Sequence, residues 1–355
     1  MPVILVINIG STSTKVGLFD GGGQVFRETA GHDSQALARL EDYDSWLEFH
    51  QRAVEKILAG HEDQLKGLDL IVSRGGFSKP LEGGPYRISE AMLSDLRAHK
   101  YGWHPCSVSP PIASRLAERF GVGAVIFDSP VADEMTPLAR MSGLKGIERW
   151  AAMHVLSQKS AARKAARDLG LRYEEAAFIV AHLGGGITIG AHLNGRIIDG
   201  THGLSEGPFT PQRTGALPVR DLVNQCFSGE FTAEDMQRRL FSQGGVSSYL
   251  GTHDVAEIER RVDGGDAEAL HVLRAMGYQI SKEIGAMAAV LEGKIDAVAL
   301  TGDLCRSRTV VKEIQDRVSF LGPTLMYPGE DELDNLAAGG LSVLASDKKN
   351  LKEYG

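Results

Sequence analysis

Apolar residues fall along this chain in two alternating ways: in short unbroken runs closed by a small or polar residue, and at helical spacing between those runs. The run over 3–9, Val-Ile-Leu-Val-Ile-Asn-Ile, stops at Gly10 and gives way to Ser11-Thr12-Ser13-Thr14. An apolar run of strand length closed by a small-residue turn predicts a strand. The chain then returns through Lys15-Val16-Gly17-Leu18-Phe19 to Asp20-Gly21, a hairpin signal. The same eighteen-residue order recurs at a constant offset over 178–195, with His182 in the place of Asn8 and Gly184-Gly185-Gly186 at the turn. Two copies of strand, glycine-bearing turn, strand and second turn are therefore expected, one in each half of the chain.

Helical spacing predicts helices over 35–59, 109–120, 147–169, 232–240, 266–291 and 332–345. Ser109 is expected to cap the second of these, with Pro110 at its first position and Gly121 ending it. Thr232 and Asp235 have capping-box spacing. Short buried-strand runs over 68–72, 124–127 and 295–300 end in Ser73-Arg74-Gly75-Gly76, Asp128-Ser129-Pro130 and Thr301-Gly302-Asp303. Strands alternating with helices give the α/β class, and 355 residues suffice for two domains.

Composition narrows the function. Hydrophobic residues make up 43% and charged residues 24%, an ordinary globular balance. The formal net charge of −8 argues against nucleic-acid or anionic-membrane partners, so an anionic ligand must be drawn by local arginines. Cys106, Cys226 and Cys305 have neither disulfide-framework nor zinc-site spacing, which points to a reducing compartment. The start at Met1 lacks a signal-peptide pattern and charged residues interrupt the apolar stretches, so a cytoplasmic protein is expected.

The two glycine-bearing turns carry the first candidate chemistry. Small residues let backbone N–H groups approach phosphate oxygens, and Ser11, Thr12, Ser13, Thr14 and Thr188 offer hydroxyl donors. Paired turns of this kind suit a clamp on nucleotide phosphates across a cleft; two ordinary hairpins are the alternative.

The segment Asn8-x-Gly10-Ser11-Thr12-Ser13-Thr14-Lys15 resembles the opening phosphate motif of the acetate and butyrate kinase family, within the actin, hexokinase and acetate-kinase superfamily. The similarity runs through Ser73-Arg74-Gly75-Gly76, Gly83-Gly84-Pro85-Tyr86, Phe127-Asp128-Ser129-Pro130, Ala181-His182-Leu183 with its three glycines, the segment from Gly207 to Gly215, Thr301-Gly302-Asp303 and Tyr327-Pro328-Gly329-Glu330-Asp331-Glu332. The triple glycine after His182, the Pro-Phe-Thr-Pro-Gln-Arg-Thr-Gly stretch and the Tyr-Pro-Gly-Glu-Asp-Glu tail are more similar to butyrate kinases than to acetate kinases.

The resemblance implies a two-domain fold in which each half is a duplicated ribonuclease-H-like βββαβαβα unit, with a cleft between. Domains over 1–140 and 141–333 are expected, with a last helix over about 334–355 packing back on the first. The implied reaction is reversible phosphoryl transfer between ATP and a short fatty acid, butyrate foremost, with Mg2+ and in a homodimer or higher homo-oligomer. Acetate, propionate and branched acids remain open as acceptors, as does sugar-kinase chemistry with Asp128 as base. Arg74 and Arg213 are implied to grip the substrate carboxylate and the transferring phosphoryl, with Asp128 and His182 completing the catalytic set. Asn8, Gly10, Ser11, Thr12, Ser13, Lys15, His182, Gly184, Gly185 and Gly186 would hold nucleotide phosphates, and Gly302 with Asp303 the adenosine. Asn8, Asp128 and Glu332 are the metal candidates; the cluster of Glu330, Asp331 and Glu332 reads equally as an acidic first helical turn. Acetate-specific members carry a second histidine four residues after the one matching His154, where this chain has Gln158. The chemistry agrees with the residue types. A carboxylate with a pKa of about 4 needs no base at neutral pH, and the obstacle is anion repulsion, which arginines and a metal answer.

Overall fold

The run Val3–Ile9 forms strand β1, buried from Ile4 onward. Strand β2 (Ser13–Asp20) returns antiparallel to it, and β3 (Gly23–Gly31) pairs antiparallel with β2. Strand β4 (Leu68–Ser73) lies parallel to β1 on its other side; β5 (Pro85–Arg87) and β6 (Gly123–Phe127) complete a sheet of order β3-β2-β1-β4-β6-β5. The structure, a computed structural model, describes residues 1–21, 23–329 and 332–355.

A second sheet repeats the plan. Strands β7 (Ala177–Leu183), β8 (Ile187–Leu193) and β9 (Arg196–Gly200) form an antiparallel meander, and β10 (Ala297–Gly302) and β11 (Thr324–Pro328) extend it in parallel, giving the order β11-β10-β7-β8-β9. Apart from β5 the two orders are the same. The copies differ at the turn: the last pair Ile9 and Thr14 encloses four residues, whereas Leu183 and Ile187 enclose three. The chain divides into two compact units, Met1–Asp133 with Asp331–Gly355, and Glu134–Glu330.

Strand alternation assigns helices to faces within each unit. In the first, Leu5, Ile7 and Ile71 pack with Leu47 and Val54 of helix Tyr43–Leu58 and with Ile112 and Leu116 of helix Ser109–Phe120. Helix Glu332–Ala345 covers the opposite face. Its Gly339 and Gly340 approach so closely that added Cβ atoms would strike Phe127 and Val72. In the second, Ala161, Ala162 and Ala165 of helix Val155–Asp168 pack on Phe178, Val180, Ala297 and Ala299, while Met276, Ile280 and Ile284 of helix Ala267–Val290 cover Ile179, Ala181, Val298 and Leu300.

Three helix expectations are corrected. The helix expected over 35–59 is a single turn, Ser34–Leu37, followed by Tyr43–Leu58, because Asp42 and Ser45 form a capping box that starts a new helix. Ser109 is the first residue of its helix rather than the cap: Val108 holds the cap position, and the Ser109 hydroxyl joins Ser73 and the Ile7 carbonyl. The helix expected over 147–169 begins only at Val155. The segment before it is held extended by Arg149, which donates to Glu206, Asp199 and the carbonyls of Ala139 and Gly200. The capping box at Thr232 and the left-handed Gly121 are as expected. Among the described residues no helix is long and apolar enough to cross a membrane.

Candidate active site

In the first unit the ends of β1, β2 and β4 converge on one carboxylate. Asn8 is buried and donates from Nδ2 to Glu332 Oε2 at 2.6 Å. Lys15, paired with Asn8 across the hairpin, brings Nζ to 3.7 Å from Glu332, and Arg74, just past β4, brings a guanidinium nitrogen to 3.5 Å. The same guanidinium lies 3.5 Å from Asn8 Oδ1. Glu332, in the first turn of the last helix, thus holds an asparagine, a lysine and an arginine at a strand-end rim. Above them the turn is closed by the Gly10 N–H donating to the Ser13 carbonyl at 2.9 Å, and Ser11 and Thr12 are exposed.

Thr14 behaves differently from its neighbours. It is fully buried, with Oγ1 between His32 Nε2 at 2.9 Å and His50 Nδ1 at 2.7 Å, so this hydroxyl faces the core and not a ligand. Burial pushes the His50 imidazole down to about 4, and His32 adds to the effect. The sign follows from linkage. Between the ordinary value of 6.5 and about 4 the unfolded ring binds a proton that the folded ring refuses, so stability present above that window is lost as pH falls through it. The urea midpoint is expected to drop between pH of about 7 and about 5, and His50→Gln to make the drop shallower.

Asp128 sits at the end of β6 with φ 43, a left-handed conformation uncommon for a residue with a side chain. Its Oδ1 accepts from the Gly84 N–H at 2.8 Å while its own N–H donates to the Gly84 carbonyl at 3.2 Å. This reciprocal pair ties the Gly83-Gly84-Pro85-Tyr86 segment to the strand end and fixes the buried carboxyl in place. Magnesium with phosphate oxygens commonly takes one or two protein carboxylates, which the single carboxyl of Asp128 fits. Glu332, already faced by two cations, is better placed to orient them. Glu330 and Asp331 lie outside the described residues.

In the second unit His182 is the last residue but one of β7, close to the glycine turn. Its Nδ1 is 2.9 Å from Ser157 Oγ, and its ring stacks on His154 at 3.9 Å between centroids. Arg213 reaches the same place. A Cβ at Gly186 would lie 2.5 Å from an Arg213 guanidinium nitrogen and 3.2 Å from His154 Cε1, so glycine leaves the seat that the arginine takes. Thr210 sets the approach: its hydroxyl donates to the Gly185 carbonyl at 2.9 Å and accepts from the Arg213 N–H at 3.0 Å. The guanidinium itself donates to the Gly203 carbonyl at 2.9 Å, and among the described residues it meets no carboxylate. Burial lowers its pKa from the usual value. A half-buried cation partnered by a neutral oxygen is built to receive an anion.

Beside this group lies a cavity of about 600 Å³, wholly within the second unit. Gly184 and Gly185 line it together with Pro211, Gln212, residues 253–256 and 259–260 around helix Val255–Asp263, Asp303 and Arg306. No atom lies within 4 Å of a Cβ built on Gly185, which opens into the cavity. Gly302 does not line it; at φ 94 its Cβ would strike the Leu183 backbone, so this glycine serves close strand packing. Thr188 is likewise withdrawn, its buried hydroxyl engaged by His154 and Gln158.

A family model described as the acetokinase family matches residues 137–351. The chain belongs to the acetokinase family. The fold agrees along its whole length. Acetate kinase from Porphyromonas gingivalis is 20% identical, with 97% of this chain and 100% of that one covered at a TM-score of 0.78. Acetate kinase from Entamoeba histolytica is 15% identical over 97% and 100%, also at 0.78, and a propionate kinase from Francisella tularensis is 18% identical over 96% and 99%, at 0.71. The fold is thereby that of the acetate kinases, and the chain is an acetokinase-type phosphotransferase with a carboxylate acceptor.

In this acetokinase most of the residues singled out from the sequence fall into three groups: Asn8, Lys15, Arg74 and Glu332 together; His182, Gly186 and Arg213 together; and Gly184, Gly185 and Asp303 at the cavity; Asp128 is held by Gly84 instead, and Gly302 packs on Leu183. Sequence reasoning gave His154 no role, although the structure stacks it on His182. Its signal was its place immediately before a helix that also carries Ser157. The cavity wall from helix Val255–Asp263 had none, since its polar residues look like any solvated helix.

Proposed function

We propose that this acetokinase is an ATP-dependent butyrate kinase, acting reversibly to form butanoyl phosphate and ADP. The single observation that carries the reading is Arg213, a half-buried guanidinium without a carboxylate partner among the described residues, set against two stacked imidazoles and a glycine turn. The butyrate-kinase-like segments noted above favour a four-carbon acid over acetate. Because the acceptor is already ionised, no side chain is needed as base; Arg74 and Arg213 are assigned to the anionic reactants and His154 with His182 to hydrogen bonding at the phosphoryl group. Mg2+ held at Asp128 would offset charge on the ATP phosphates. ATP is assigned to the second-unit cavity and its glycine turn; within the first unit Lys15, Asn8 and the hydroxyls of Ser11, Thr12 and Ser13 are the groups assigned to phosphate.

The test is formation of butanoyl hydroxamate from butyrate, MgATP and hydroxylamine, compared with acetate, propionate and isobutyrate. Preference for one of those acids would reassign the substrate; turnover of a sugar with no hydroxamate from any acid would overturn the carboxylate reading. Gly185→Val gives a sharper check on the nucleotide site. The position has ordinary backbone angles and open space, so valine is expected to leave thermal stability unchanged while raising KM for ATP about tenfold or more, with KM for butyrate little altered. Unchanged values for both substrates would make the turn an ordinary hairpin.

A homodimer is proposed as well, supported by helix Val219–Cys226, which buries none of its own residues and leaves Val219 and the following Phe227 widely exposed. Light scattering is expected to return about twice the 38.2 kDa chain mass. A monomer mass at micromolar concentration would count against it.

A further inference from the structure

We propose that Tyr173, His192, Gln158 and Thr188 form a one-directional hydrogen-bond chain that fixes His154 with its proton on Nε2, making Gln158 and Thr188 positioning residues for the donor presented beside Arg213. The inference rests on the phosphoryl-transfer reading for its use, but not for its geometry.

Thr188, fully buried on β8, is the joint. Its Oγ1 accepts from Gln158 Nε2 at 2.7 Å and from the His154 backbone N–H at 3.4 Å, while His154 Nδ1 lies 3.0 Å away. With both lone pairs engaged, the hydroxyl proton goes to Nδ1. The neutral ring then keeps its proton on Nε2. The Gln158 amide cannot be turned over, because its Nε2 also lies 3.3 Å from the Thr188 carbonyl, where an amide oxygen would face another oxygen. Its Oε1 is left for His192 Nε2 at 3.1 Å, which must carry a hydrogen. His192 Nδ1 therefore accepts from the Tyr173 hydroxyl at 2.8 Å.

Donation runs one way from the tyrosine to His154, an arrangement in which successive bonds polarise one another. Burial holds His192 well below its ordinary pKa, with Lys159 and Arg163 adding to the effect, so this ring stays neutral. Gly190 belongs to the same device, since a Cβ there would run into the Gln158 amide oxygen. At the other end, the Cε1 edge of His154 and the Arg213 guanidinium both border the point where a Gly186 Cβ would sit. Nε2 neighbours Cε1 in the ring, so the fixed tautomer turns a donor toward the edge that the arginine shares. Stacking on His182 holds the ring plane.

The direct test is the tautomer of His154 in isotope-labelled protein, read from two-bond proton–nitrogen couplings and assigned with His154→Asn. Wild type is expected to show the proton on Nε2. Gln158→Met removes the amide that donates to the Thr188 oxygen, so that oxygen can accept from His154 and the single tautomer is expected to give way to a mixture with the proton on Nδ1. That variant should lose about 10² in kcat with KM for ATP changed by no more than about twofold. Thr188→Val, nearly isosteric, should lose the single-tautomer signature, and Thr188→Ser should keep both signature and rate. A wild-type ring protonated on Nδ1, or variants that leave the signature unchanged, would overturn the proposal. The tautomer is read without turnover, so the expected signatures in a protein inactive on carboxylates would sink the functional reading alone.

Discussion

Arg213→Ala lowers kcat by about 10² to 10³ while leaving the fold intact, the scale of losing one preorganised charge donor. The two halves of that expectation come from one observation. The guanidinium is half-buried and pairs with the Gly203 carbonyl, so its desolvation is not recovered from a carboxylate among the described residues. Truncation therefore strands no buried negative charge, and the melting temperature should hold or rise slightly. Arg213→Lys should not restore the rate, because a point charge cannot reproduce the planar fork. Hydroxamate formation at saturating substrates and a thermal melt give both readouts; near-normal kcat in the alanine variant would reassign Arg213 to holding the Gly203 segment.

The largest stability effect is expected at Lys159→Met, a loss of about 3 to 5 kcal/mol, as when one member of a buried ion pair is removed. The side chains of Lys159 and Glu134 are only 3% and 5% exposed, with Nζ 2.8 Å from Oε1. The lysine also donates to the Gly195 carbonyl at 3.1 Å, and the other Glu134 oxygen accepts from the Ile197 N–H at 2.8 Å, so the pair stitches the first residue of the second unit to the turn before β9. Methionine matches the volume and takes the Lys159 ammonium away from the buried carboxylate. Adding Glu134→Gln should recover most of the loss, since an amide can still accept from Ile197. Urea unfolding of the single and double variants measures both; a loss under about 1 kcal/mol in the single variant would mean that water reaches the carboxylate.

How far the sequence could be read depended on what signal burial leaves. Strands β1, β7 and β10 are covered on both faces, which writes an unbroken apolar run, and the residues at their ends were visible next to glycines. The helix expected from 147 failed for the converse reason: Ile147 and Trp150 are exposed, so their spacing reports no core, and the backbone there follows the acceptors around Arg149. Thr14 and Thr188 were misread as ligand donors because a hydroxyl beside a glycine turn looks the same in sequence whether it faces out or in. The cavity wall joins residues 184–185, 211–212, 253–260 and 303–308, and no local pattern announces an encounter between stretches so far apart.

The seat that Gly186 leaves for Arg213 also constrains how this sequence can change over time. The backbone at Gly186 lies outside the left-handed region, so many residues could adopt it, and what bars them is the guanidinium occupying the space. A side chain at 186 is accommodated only if the guanidinium swings out of this seat or position 213 is shortened. Either route through this pair takes the charge from the place on which the proposed activity depends. The glycine is kept by its neighbour's function, and a lineage released from that function would be free to fill the position.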